Sequence, residues 1–138
     1  MILVDTGVWS LALRRRPQQL PLKDHKLVQH WADLADKGLI AIVGPIRQEV
    51  LSGLRHAAQF TRLQAALDAF HFIETTVEDF DRAAEFFNTC RSHGIAGGDV
   101  DMLICSLAVA HRLPLFTIDS DFERYAQYLP LDLYVPPP

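Results

Sequence analysis

The chain has little with which to build several common kinds of site. Its 138 residues include two cysteines, three lysines and no apolar run approaching the 18 or so residues that a membrane-spanning helix needs. No membrane association is therefore expected. The opening "MILVDTGVW" lacks a basic leading region and reads as a strand, not a signal peptide, so the expected compartment is the cytoplasm. Cys90 and Cys105 each fall within an apolar helical pattern, which predicts buried free thiols rather than a disulfide. The six histidines (25, 30, 56, 71, 93 and 111) are scattered, and no Cys/His group has zinc spacing. There is no GxGxxG, no Walker loop, no internal repeat and no low-complexity stretch beyond the final "PPP".

What remains is ordinary globular material. Apolar residues make up 49% and charged residues 22% of the chain, and the length suits one domain spanning residues 1–138. Short apolar runs rich in β-branched residues read as strands: "MILVD" (1–5), "LIAIV" (39–43), "FHFIET" (70–75), "LPLFTI" (113–118) and "LDLYV" (131–135). Such runs suit strands buried on both faces, as in a parallel sheet. Helical patterns lie between them. Residues 24–37 put Leu27, Val28, Trp31, Leu34 and Ala35 on one face and stop at Gly38. Pro45 marks the first turn of another helix, and residues 57–69 form a further one. Thr76 stands three before Asp79 as a near capping box for a helix that closes on Gly94. The segment 14–24, with its arginines and prolines, connects helices within the domain. These units predict an α/β sandwich of three layers, with about five parallel strands flanked by helices.

The net charge is −4, from 13 basic and 17 acidic residues. Ligands of an open α/β sheet gather beyond the carboxyl ends of its strands, and the acids fall there. Asp5 ends the first strand, Glu49 follows the second, Asp119 ends "LFTI", and Asp101 opens the helix in "GGDVDMLICSLAVA". Asp101 is flanked by Val100, Met102, Leu103 and Ile104, where an unpartnered carboxylate would be costly. Grouped carboxylates repel one another unless a cation sits among them, and hard oxygen ligands of this kind describe a Mg²⁺ site in which Mn²⁺ can substitute. Without those four acids, basic and acidic residues balance at 13 each. Asp99 and Asp101 lie two apart, roughly 200° around a helix. Asp99, after Gly97-Gly98, is thus expected to be the N-cap, and Asp101 to face inward with Ile104, Cys105 and Ala108.

At these residues the chain resembles the PIN-domain family, and within it the VapC-type toxins of bacterial toxin–antitoxin pairs. The likeness is carried by "ILVDTGVWS", "RQEVLSGL", "DMLICSLAVAHRLPLFTID" and the "DF" that follows. It implies a metal-dependent endoribonuclease whose acids are Asp5, Glu49, Asp101 and Asp119. Asp5, Asp101 and Asp119 would be metal ligands, while Glu49 would ligate the metal or orient the water. Thr6 takes the place of a family hydroxyl near the site, Asp121 is a neighbour that could assist, and Asp99 is auxiliary. The resemblance also implies an RNA substrate, a homodimer and a cognate, VapB-like antitoxin, with helices 24–37 and 57–69 as candidate walls of its groove. Arg14, Arg15 and Arg16, with the more distant Arg47 and Arg55, are candidates for phosphate contacts.

Two other classes compete. A PIN-like fold without activity would serve as an interaction scaffold, a reading opposed by the presence of all four acids. A phosphorelay receiver would need a lysine after a late strand, whereas Lys23, Lys26 and Lys37 are all early. A phosphatase would carry DxD at the first strand, where this chain has Asp5-Thr-Gly.

Overall fold

The computed structural model of the protein describes residues 1–13 and 17–138. Strand β1 (Ile2–Val4) leads into helix α1 (Thr6–Leu13). After a short 3₁₀ turn (Pro17–Gln19) come α2 (Leu22–Asp36) and β2 (Ile40–Val43), then α3 (Gly44–Leu51), α4 (Ala57–Leu67) and β3 (His71–Ile73). The chain continues through α5 (Val77–Ser92), α6 (Asp99–Ala110), β4 (Leu115–Phe116) and α7 (Asp121–Ala126). The four strands form a parallel sheet in the order β3-β2-β1-β4. Ile2 pairs with Ile40, Leu3 with Leu115 and Val43 with Ile73. β1 and β2 are buried at every position, the burial that near-continuous apolar runs anticipate.

Among the described residues four strands stand where the sequence predicts about five. "LDLYV" contributes one parallel bridge, Leu133 to Leu115, with Leu115 N–H donating to Asp132 and Tyr134 N–H donating to Leu115. Pro130 and Pro136 bracket the segment and offer no N–H, so the ladder stops after one rung. Helix α2 begins at Leu22, inside the segment read as a connection, and Gly38 follows it at φ 68°, a left-handed geometry that suits glycine.

The strand order sets the site. From β1 the chain builds outward to β2 and β3, then returns past β1 to add β4 on the other side. The carboxyl ends of β1 and β4 therefore flank the point where the direction of winding reverses, which is where open sheets leave a crevice.

Two packing features hold the surrounding helices. Trp9 of α1 is fully buried, donates its indole N–H to the Val4 carbonyl at 2.9 Å and meets Trp31 and Phe70 edge-on at 5.4 and 4.7 Å. On the other side α6 buries Met102, Ile104, Cys105, Ser106, Leu107 and Ala108, so it is apolar nearly all round because it is buried nearly all round. It is pinned to α5 through a polar knot. The Ser106 hydroxyl donates to the Asp79 carbonyl at 2.7 Å, and Arg82 reaches both the Asp79 carboxylate (3.0 Å) and the Ser106 hydroxyl (3.2 Å). Asp79 also completes the capping box with Thr76. Burial pushes the Asp79 carboxyl up, but the Thr76 N–H and hydroxyl and the Arg82 guanidinium outweigh it and hold the group below the usual carboxylate range.

Candidate metal centre

Asp5 follows β1 directly and is buried, taking a 2.8 Å hydrogen bond from the Thr117 hydroxyl. Thr117 serves twice, since its oxygen also accepts the Asp119 N–H at 3.0 Å. The residue after β4 thus ties the acid that follows β1 to the acid three positions beyond β4. Asp119 in turn accepts the Asp121 N–H at 2.9 Å, an Asx-type turn that starts α7. One oxygen each of Asp101, Asp119 and Asp121 lie within 4.8 Å of one another.

Asp101 enters from the first turn of α6. Its Oδ2 accepts a 2.9 Å hydrogen bond from the phenol of Tyr125, whose ring is buried in α7. Burial and the adjacent Asp101 push the Tyr125 phenol up, so it stays a proton donor. Glu49 is exposed on α3 and accepts a 2.8 Å hydrogen bond from the Thr6 hydroxyl at the start of α1.

The electrostatics run against the acids. Desolvation by burial raises the Asp5 carboxyl above its ordinary range, and Asp101 and Glu49 add to this, while Thr117 and the Thr6 backbone pull the other way. Asp101 is likewise raised, first by burial and then by Asp119, Asp121 and Glu49, against the lowering effect of Tyr125. Cys105, one turn further along α6 and buried, is also pushed up, by burial first and then by Asp101. The crevice thus concentrates negative charge on oxygen ligands and supplies Tyr125 and two threonine hydroxyls, but among the described residues no cation, to the acids at its centre. Of the acids gathered there, Asp121 alone has a guanidinium at hand among the described residues, that of Arg124 one turn along α7. An all-oxygen, half-buried set of this kind fits a small hard divalent ion.

The chain therefore brings Asp5, Glu49, Asp101, Asp119 and Asp121 to one edge of the sheet. Asp121 stands closer to Asp101 and Asp119 than an auxiliary place in the sequence implied. Asp99 needs correction. The N-cap of α6 is Gly98, with extended backbone (φ −72°, ψ 152°), and there is no side-chain cap bond. Asp99 is the first residue of the helix, exposed and turned to the α5 side beside Asn88 and Val100. The cap thus falls one position before the carboxylate, because glycine serves as an N-cap without a side-chain bond. Thr117 and Tyr125 are not among the residues that the sequence singles out. The TxDxD spacing after a late strand could have marked Thr117, whereas nothing local marks Tyr125.

Of the proposed phosphate contacts, Arg14, Arg15 and Arg16 lie outside the described residues. Arg47 is engaged with Asp68 at 2.9 Å. Arg55 lines a groove of 670 Å³ walled by α4, the end of α1 and the link after α3. No residue of α2 is among those that line this groove.

The family that matches, over residues 2–128, is described as "PIN domain". Solved structures share the fold almost end to end. FitAcB from Neisseria gonorrhoeae superposes with a TM-score of 0.73 at 19% identity, covering 99% of this chain and 98% of that one. VapBC2 from Rickettsia felis, bound to a DNA fragment from its promoter, gives 0.73 at 20% identity over 97% and 98%. A toxin–antitoxin complex from Klebsiella pneumoniae gives 0.67 at 21% identity over 88% and 90%. No curated protein matches the chain. The reversal point between β1 and β4, the acids gathered there and the match across residues 2–128 agree: the chain belongs to the PIN domain family.

Proposed function

We propose that the chain is a Mg²⁺-dependent endoribonuclease, the toxin of a two-protein module whose cognate, VapB-like antitoxin silences it. The observation that carries the reading is the meeting of Asp101, Asp119 and Asp121 within 4.8 Å, beside a buried Asp5 and the rim residue Glu49. PIN domains are generally nucleases. The fold shared with the Klebsiella pneumoniae toxin–antitoxin complex and with VapBC2 supports the module, as does the resemblance in sequence. With these come a single domain over 1–138, a homodimer and action in the cytoplasm on RNA. Among the described residues no helix is long and apolar enough to cross a membrane.

Asp5, Asp101 and Asp119 would hold the cation, directly or through water, with Asp121 adjoining them. Mg²⁺ or Mn²⁺ bound there supplies an acidified water and neutralises charge on the phosphodiester under attack. The residues do the rest. Thr117 fixes Asp5 and, through the Asp119 N–H, the loop that carries Asp119, so both acids hold their angle before a ligand arrives. Tyr125 fixes one oxygen of Asp101. Glu49, exposed and held by Thr6, is placed at the rim to orient a water or accept its proton.

The test is cleavage of labelled single-stranded RNA by the purified chain with Mg²⁺, with Mn²⁺ and with EDTA, beside Asp101→Asn. Cleavage should need the metal and Asp101. Equal cleavage in EDTA would refute the mechanism. An inert wild-type chain that still captured a cognate partner would favour the scaffold.

A further inference from the structure

The groove beside α4 carries the opposite charge to the crevice. Arg55, His56 and Arg62 line it and, among the described residues, no carboxylate does, in a chain whose net charge is −4. Both arginines are exposed, and neither makes an ion pair or hydrogen bond among the described residues, whereas Arg47, Arg82 and Arg124 are each held by an aspartate. Leu13, Leu54 and Leu63 add an apolar wall beside this charge.

Two helices join the groove to the acids. Helix α1 has Thr6, bonded to Glu49, at one end and Leu13, in the groove, at the other. At 1.5 Å per residue that path is about 10 Å, near three nucleotides at about 3.4 Å each along a stacked strand. Helix α3 carries Glu49 and hands the chain directly to Gly53, Leu54 and Arg55. A polyanion approaching the acids is repelled by them, and a separate basic subsite is the physical means of holding it.

We infer that this groove is a single-stranded RNA subsite: Arg55 and Arg62 take phosphates a few nucleotides from the bond to be cut, and the leucine wall takes a base face. The inference rests on the ribonuclease reading and adds where the strand runs. It favours substrates long enough to span both places.

The assay is fluorescence anisotropy of a labelled single-stranded RNA dodecamer on the full chain carrying Asp101→Asn, so that the strand is not consumed, over a series of salt concentrations. Adding Arg55→Ala and Arg62→Ala should weaken binding about tenfold and make the salt slope shallower by about 1.4, two contacts at about 0.7 each. Arg55→Lys with Arg62→Lys should restore most of both. In the otherwise wild-type chain the alanine pair should raise KM for the dodecamer and leave kcat in place. Should the alanine pair melt early, Arg62→Glu alone carries the same test. Unchanged affinity and salt slope, with wild-type cleavage intact, would overturn the subsite and spare the ribonuclease. Normal RNA binding with loss of an acidic protein partner would also overturn it, making the groove a protein site. A wild-type chain that neither binds nor cleaves RNA would take both readings down.

Discussion

Tyr125→Phe isolates one hydrogen bond at the crevice. The substitution removes the phenol oxygen, which donates to Asp101 at 2.9 Å, and leaves the buried ring packed edge-on against Phe122 at 5.4 Å. A hydrogen bond to a charged acceptor contributes about 1.5–3 kcal/mol. Asp101 is only half-buried, so water recovers part of the loss, and the net cost to the metal-free fold should be about 1 kcal/mol. For a chain of this length that lowers Tm by about 3–5 °C. The larger effect should fall on the cation, because freeing the carboxylate lets it leave the angle at which it faces Asp119 and Asp121. Loss of such an outer partner typically weakens metal affinity about 10–100-fold. Calorimetric titration of Mn²⁺ into the two proteins, with melting curves in EDTA, reads both quantities. Wild-type Mn²⁺ affinity in Tyr125→Phe would show that Tyr125 does not position Asp101, whatever happens to Tm.

Asp101→Asn should melt higher than wild type in EDTA, since it removes one of several repelling carboxylates, and should lose the stabilisation that millimolar Mg²⁺ gives the wild type; a lower Tm in EDTA would refute the repulsion. The raised carboxyls of Asp5 and Asp101 bind protons more tightly in the folded state, so the metal-free chain should lose stability as pH rises from about 4 through their folded-state range. Saturating Mg²⁺ should flatten that slope, which chemical denaturation at a series of pH values will show. Asp79 has the opposite sign: its contribution is present above about pH 4 and is lost below, as pH falls through its depressed value. Asp79→Ala should cost about 2–3 kcal/mol by denaturant melting, from the lost carboxylate half of the capping box and the abandoned Arg82, whereas Asp99→Ala, which removes no cap bond, should change stability by less than about 0.5 kcal/mol.

The parts of the fold that were legible are those in which local chemistry and tertiary packing agree. Ile2–Val4 and Ile40–Val43 read as doubly buried strands and are, because no other environment suits such runs. Thr76 and Asp79 sit close enough in sequence to declare their capping box, and Gly94 its stop at φ 76°. "LDLYV" carries the same apolar signature as a strand, yet its prolines govern the ladder and the pattern does not reveal them as the stronger influence. In the crevice, carboxylates at strand ends are visible because acids are out of place among apolar neighbours. Tyr125 is not, since a tyrosine on an amphipathic helix reads as core and its bond to Asp101 spans 24 positions. Helical phase predicts an inward Asp101, which the Tyr125 phenol meets, while the cap falls one residue before the expected Asp99 because Gly98 needs no side chain to cap a helix.

The two thiols have a practical side. Cys90 and Cys105 are both buried, and burial pushes each above the ordinary thiol range, so neither offers a ready thiolate at neutral pH. The folded chain should accordingly ignore maleimides, and a single cysteine introduced on the exposed surface, at Gln59 for example, would take up a dye or spin label alone. Distances from that label to a paramagnetic Mn²⁺ could then be measured in the native sequence background, without stripping out either natural thiol.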